Sequence, residues 1–134
     1  MNLEVGTNSS IEFKVEEKDL AKNINISQDD LFPEVYATAR LVALMEASAA
    51  RVLLPLLQEG QLSVGVEVNV KHLAPTLKGD VVKSTATFEG MEGKLYKFTI
   101  EAFDSAGKVG ESIHTRAIVS QERLMAGAYK RVNK

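Results

Sequence analysis

The chain of 134 residues contains no cysteine, which removes disulfides, thiolate metal sites and a cysteine nucleophile at one stroke. Histidine is almost as scarce. Only His72 and His114 occur, and neither belongs to an H-E-x-x-H motif, so a metal site would have to rest mainly on carboxylates and none is expected. Lysine and arginine form no long run. With a net charge of -2 and an isoelectric point near 5.7, the chain lacks the basic stripe of a nucleic-acid binder. Nor is there a long uninterrupted apolar segment: the stretch from Leu41 to Leu57 is broken by Glu46, Arg51 and Pro55, so no membrane span is expected. Met1 to Val5 lacks the basic and apolar regions of a signal peptide, so a cytoplasmic location is predicted and the sequons at Asn8 and Asn25 are read as chance.

What is present suits one globular domain over residues 1–134, with 45% hydrophobic and 25% charged residues. Ser10 to Glu16 alternates, with Ile11, Phe13 and Val15 on one side, as a half-buried strand does. Residues 18–32 are polar and broken and read as a loop. From Pro33 or Ala39 to Gln58 the pattern becomes helical, with Leu41, Leu44, Met45, Ser48, Val52 and Leu56 on one stripe. Pro55 should kink or end this helix, and Glu59-Gly60 should close it. Strands follow around Val64–Lys71, Asp80–Glu89, Lys94–Phe103 and Val109–Val119, with turns at Gly90–Gly93 and Asp104–Gly107. Such spacing predicts an antiparallel meander, and one buried helix laid on it gives an α+β layer arrangement.

Glu46 stands out, because Leu41 to Met45 before it and Ala47 to Ala50 after it are almost entirely apolar. A carboxylate there loses hydration at a cost of several kcal/mol unless a partner or a proton compensates. It is either a solvent-reaching glutamate paired with Arg40 or Arg51, or a functional group. Thr38 is either a helix cap or a reactive hydroxyl. His72, beside Leu73-Ala74-Pro75 at a strand end, is an edge histidine or an acid–base group. Gly65 marks a bulge or a close approach to backbone. A hydroxyl, a carboxylate and an imidazole are together the groups that attack an acyl carbonyl and move its proton. One constraint is geometric: eight residues on a continuous helix give about 12 Å of rise between Thr38 and Glu46. Either Thr38 lies outside the regular helix, or it meets Glu46 of a second subunit.

The segments Phe32-Pro33-Glu34-Val35 to Thr38, Leu44-Met45-Glu46, Ser63-Val64-Gly65, His72 to Thr76 and His114-Thr115-Arg116 together resemble the fluoroacetyl-CoA thioesterase-like family. These are hot-dog-fold hydrolases of acyl-CoA thioesters, and the resemblance spans roughly residues 10–125. It implies an antiparallel sheet wrapped around one long central helix, a homodimer joined edge to edge, and an acyl-CoA substrate with no further cofactor. By the same resemblance Thr38, Glu46 and His72 are catalytic: Glu46 as general base or nucleophile, Thr38 as nucleophile or orienting hydroxyl, and His72 as base or acid. Gly65 would face the thioester carbonyl with its amide, Phe32 would belong to a lid, and Arg116 would contact CoA phosphates or brace the site. An exposed strand arginine is the alternative for Arg116, and His114 is assigned a structural place.

Two positions depart from the family pattern: Asp29 stands where a second lid aromatic is expected, and Ala47 where a bulkier residue is expected behind Glu46. Both changes would open or repolarise the acyl pocket. The thioesterase chemistry therefore carries over and the fluorinated acyl group does not; a short-chain, medium-chain or aryl acyl-CoA suits as well. The competing expectation is a non-catalytic acyl-CoA-binding hot-dog domain. An enoyl-CoA hydratase would want an Asp–His pair close in sequence, which the chain lacks.

Overall fold

The computed structural model describes residues 3–133. Strand β1 (Asn8–Lys14) alternates between exposed and half-buried positions, so its Ile11 and Phe13 rest on the core while its polar residues face out. Two single 3-10 turns follow, and then residues 24–37 run without helix or extended strand to the long helix α1 (Thr38–Leu53). Leu41, Leu44, Met45, Ser48, Ala49, Val52 and Leu53 form its buried side. The spacing of these residues is helical, and the side chains are mostly good helix formers. Pro55 ends the helix at Leu53, short of the expected Gln58, by forcing Leu54–Leu56 into a 3-10 turn, so Glu59-Gly60 does not close it.

The sheet has the order β1-β3-β4-β5-β2, with β2 (Gln61–His72), β3 (Val81–Glu92), β4 (Leu95–Asp104) and β5 (Gly107–Ser120), and every pairing is antiparallel. The helix takes the chain from β1 at one edge to β2 at the other, crossing one face of the sheet. That face carries Val82, Ala86, Phe88, Phe98 and Ile100, all fully buried against α1. Ser48 is buried with them because its hydroxyl is satisfied, donating to the Met45 carbonyl at 2.8 Å and meeting Ser84 Oγ at 3.0 Å. The curled antiparallel sheet around one long helix is the α+β arrangement predicted.

Two expectations are corrected. Pro33-Glu34 does not open the helix: Tyr36 N–H donates to the Thr76 carbonyl (2.8 Å) and Ala37 N–H to the Asp19 carbonyl (3.0 Å), and these bonds hold the segment extended until Thr38. After β5 the chain forms a second helix, α2 (Gln121–Val132), that the strand pattern did not announce; Ser120 caps it by accepting from Arg123 N–H, and none of its residues is buried. Neither helix is long and apolar enough to cross a membrane.

Candidate active site

Thr38 is the first residue of α1, and the cap position before it is Ala37, which offers no side-chain oxygen. The Thr38 hydroxyl is therefore not used as a cap. It lies 2.7 Å from Nδ1 of His72, the last residue of β2. Both partners are held by their surroundings. Tyr36, buried and stacked on Phe13 at 6.1 Å, anchors the approach to Thr38. Leu73 N–H donates to the Val109 carbonyl at 2.7 Å and fixes the strand end at His72.

The His72 ring is partly desolvated, which lowers its pKa below the ordinary value, with the Ala74 backbone opposing weakly. A neutral ring can accept the Thr38 proton on Nδ1. Its Nε2 is buried and has no hydrogen-bond partner among the described residues. The pair opens into a cavity of about 920 Å³ lined by apolar groups, among them Phe32, Val35, Ala37, Leu73 and Pro75. Phe32 is thus part of the cavity wall. Asp29 is not part of this lining; the carboxylate that is, Asp30, accepts from the N–H groups of Ile26 (2.9 Å) and Ser27 (3.0 Å).

Glu46 belongs to a second cluster. It pairs neither with Arg40 nor with Arg51 but with Arg116 on β5, whose Nη1 donates to Oε1 at 3.1 Å. Arg116 is almost fully buried, and Ser63 on β2 holds it by accepting from Nε on its hydroxyl (3.0 Å) and from Nη2 on its carbonyl (2.9 Å). Nη1 also meets His114 Nε2 at 3.2 Å, and His114 Nδ1 lies 2.7 Å from the Glu67 carbonyl. Gly65 sits in a bulge of β2, between its pairing with Arg116 and that of Glu67 with Thr115. A Cβ at Gly65 would collide with Glu46 Oε1 and approach His114 Cε1 to 3.3 Å. The close approach that the glycine permits is made by Glu46 itself.

The predicted residues therefore fall into two groups within one chain: Thr38, His72 and Phe32 around the cavity, and Glu46, Gly65 and Arg116 outside its lining. Thr38 does not lie outside the helix, so the first of the two geometric alternatives is overturned; some 12 Å of helix separates Thr38 from Glu46 in the same chain. Ser63 and the polar role of His114 were not foreseen. His114 shares a strand face with Arg116, which is a signal, whereas Ser63 becomes visible only through strand pairing. No group of three or more His, Asp or Glu side chains among the described residues could hold a metal ion.

The chain is similar to known proteins over most of its length. Residues 15–122 match the family described as fluoroacetyl-CoA-specific thioesterase. The fluoroacetyl-CoA thioesterase of Streptantibioticus cattleyicolor is 36% identical over 95 residues, covering 71% of this chain and 68% of that protein. The solved structure of the fluoroacetyl-CoA thioesterase FlK superposes with a TM-score of 0.91 at 30% identity, over 97% of this chain and 98% of that one. A hot-dog-like protein from Thermanaerovibrio acidaminovorans gives 0.81 at 31% identity, over 95% and 91% of the two chains. The chain belongs to the fluoroacetyl-CoA-specific thioesterase family and has its hot-dog fold.

Proposed function

We propose that this protein hydrolyses acyl-CoA thioesters with Thr38, His72 and Glu46 as its catalytic group, completed between two copies of the chain. The observation that carries the proposal is the 2.7 Å contact between the Thr38 hydroxyl and His72 Nδ1 at the wall of an apolar cavity. His72 Nδ1 takes the hydroxyl proton as Thr38 Oγ1 attacks the thioester carbonyl. The C–S bond breaks, the proton passes to the departing CoA thiolate, and an ester on Thr38 remains. Water, deprotonated in turn by His72, cleaves that ester to the acid, and the proton on His72 passes to the departing Thr38 Oγ1, restoring both side chains. CoA enters as part of the substrate, and no other cofactor takes part.

In this scheme the carboxylate of the group, Glu46, comes from a second copy of the chain. β2 is an edge strand, and Gly65–Asn69 is its exposed stretch, with Val66 and Val68 uncovered. Antiparallel pairing of two β2 strands about a two-fold axis in that stretch carries Gly65 of one copy, with Glu46 above it, toward the His72 end of the other. A homodimer then holds two complete sites. The apolar cavity favours acyl groups larger than fluoroacetyl, including medium-chain and aryl acids.

The test is thiol release from acetyl-, fluoroacetyl-, butyryl-, hexanoyl-, benzoyl- and phenylacetyl-CoA, with Glu46→Gln as the control. Turnover that disappears in the variant is expected. No turnover on any thioester, with acyl-CoA still raising the melting temperature, would replace the enzyme with an acyl-CoA-binding domain.

A further inference from the structure

His114 lies in the core at 1% exposure, yet its ring is wholly engaged in polar contacts. Its neighbours come from every packed element: Arg116 on its own strand, Glu46 from α1, the Glu67 carbonyl from β2 and the Phe98 ring from β4 at 6.5 Å. An arginine has donors and no acceptor. The 3.2 Å contact between Arg116 Nη1 and His114 Nε2 therefore makes Nε2 the acceptor. The single proton of the neutral ring must then sit on Nδ1, which donates to the Glu67 carbonyl at 2.7 Å. One guanidinium now has four acceptors: Ser63 Oγ, the Ser63 carbonyl, Glu46 Oε1 and His114 Nε2. The two hydrogens of Nη1 are divided between the carboxylate and the imidazole, so the ring decides which way the remaining hydrogen points. A second proton on the ring would set N–H against N–H and push Arg116 away from Glu46.

We infer that His114 is a positioning residue for Glu46: held as its Nδ1–H tautomer by the Glu67 carbonyl, it accepts from Arg116 and so fixes the guanidinium that keeps the Glu46 carboxylate over Gly65, turned to the reaction. The inference rests on the catalytic role proposed for Glu46. Burial and the adjacent guanidinium both lower the His114 pKa, with the Glu67 carbonyl and the Glu46 charge opposing, which agrees with a neutral ring.

Two near-isosteric variants separate this role from packing. His114→Asn keeps a donor for the Glu67 carbonyl and loses the acceptor for Arg116. His114→Gln can place a carbonyl oxygen near the position of Nε2. The Asn variant should lose about tenfold to a hundredfold in kcat with KM within about twofold, and the Gln variant should recover to within about threefold of wild type. Wild-type kcat in the Asn variant, or a loss in both variants that only tracks the folded fraction, overturns the inference. Nitrogen-15 NMR of the ring gives a readout free of turnover: protonated Nδ1 and bare Nε2 are expected at neutral pH, and an Nε2–H or doubly protonated ring overturns it. Glu46→Gln measured in parallel tells the two failures apart. An active Glu46→Gln removes Glu46 from the chemistry. An inactive Glu46→Gln beside a fully active His114→Asn removes only the positioning role.

Discussion

The Glu46 carboxylate occupies the space that a side chain at Gly65 would need. The strand gives up a side chain at that point, and the helix fills the gap with a charged group that Arg116 holds from the neighbouring strand. Gly65→Ala should therefore displace the carboxylate far more than it disturbs the fold. Glu46 is partly exposed and can swing aside, so the expected loss of stability is about 1 kcal/mol, at the low end for overpacking. The expected loss in kcat is about a hundredfold, the scale of a misplaced reacting group. Thermal melting and steady-state kinetics on the same preparation check both; a fully active Gly65→Ala enzyme would separate Glu46 from the reaction.

Thr38 gives a cleaner contrast. Its hydroxyl reaches His72 rather than the helix backbone, so removing it leaves α1 without any lost cap. Thr38→Ala should melt within about 1 kcal/mol of wild type. Its turnover should fall by at least about a hundredfold, whereas Thr38→Ser should retain most of it. Retained turnover in the alanine variant would hand the nucleophile's place to water.

The pH dependence follows from the two histidines. Desolvation lowers the pKa of both His72 and His114 below the ordinary 6.5. In the proposed mechanism the base form of His72 is the active one, so kcat/KM should rise with pH along an acidic limb lying below 6.5 and stay level above it. Stability runs in the same direction. Just below 6.5 the unfolded chain takes up protons that the folded chain still refuses, so stability is complete above that value and declines as pH falls toward the folded-state values. Melting curves between pH 8 and 5 should show this decline, and His114→Gln should make it shallower. A melting temperature that rises on acidification would contradict both assignments.

The edge of β2 supplies the remaining prediction. A lysine in place of Val68, exposed on that edge, should oppose pairing of two copies. Sedimentation should find the wild type dimeric and Val68→Lys monomeric, with turnover lost in step. A monomeric wild type with full activity would mean that one chain holds the whole site.

Much of the fold is legible in the sequence. The strands show through alternation, as at Ile11 and Phe13, and α1 shows through its apolar stripe and through Pro55. The helix start could be read only as a choice between Pro33 and Ala39, next to the observed Thr38, because Pro33-Glu34 is a good first turn locally. The bonds that keep it extended come from Asp19 and Thr76, distant in sequence. α2 was missed for the opposite reason: it buries nothing, so its few apolar residues build no core stripe. Resemblance pointed to Thr38, His72 and Glu46, but not to the partner of Glu46. Arg40 and Arg51 are near in sequence, whereas Arg116 is 70 residues away and is brought in only by the register of β5.

Helix α1 contains no glycine or proline between Thr38 and Leu53. It therefore works as a fixed ruler, with the hydroxyl at one mark and the carboxylate about 12 Å further along. A ruler of this kind cannot shorten to grip a small acyl group or lengthen for a large one. In a site completed across two chains, the adjustable joint is the seam between them. Adaptation to acyl groups of different size would then be a sliding or rocking of one subunit against the other, with each helix unchanged.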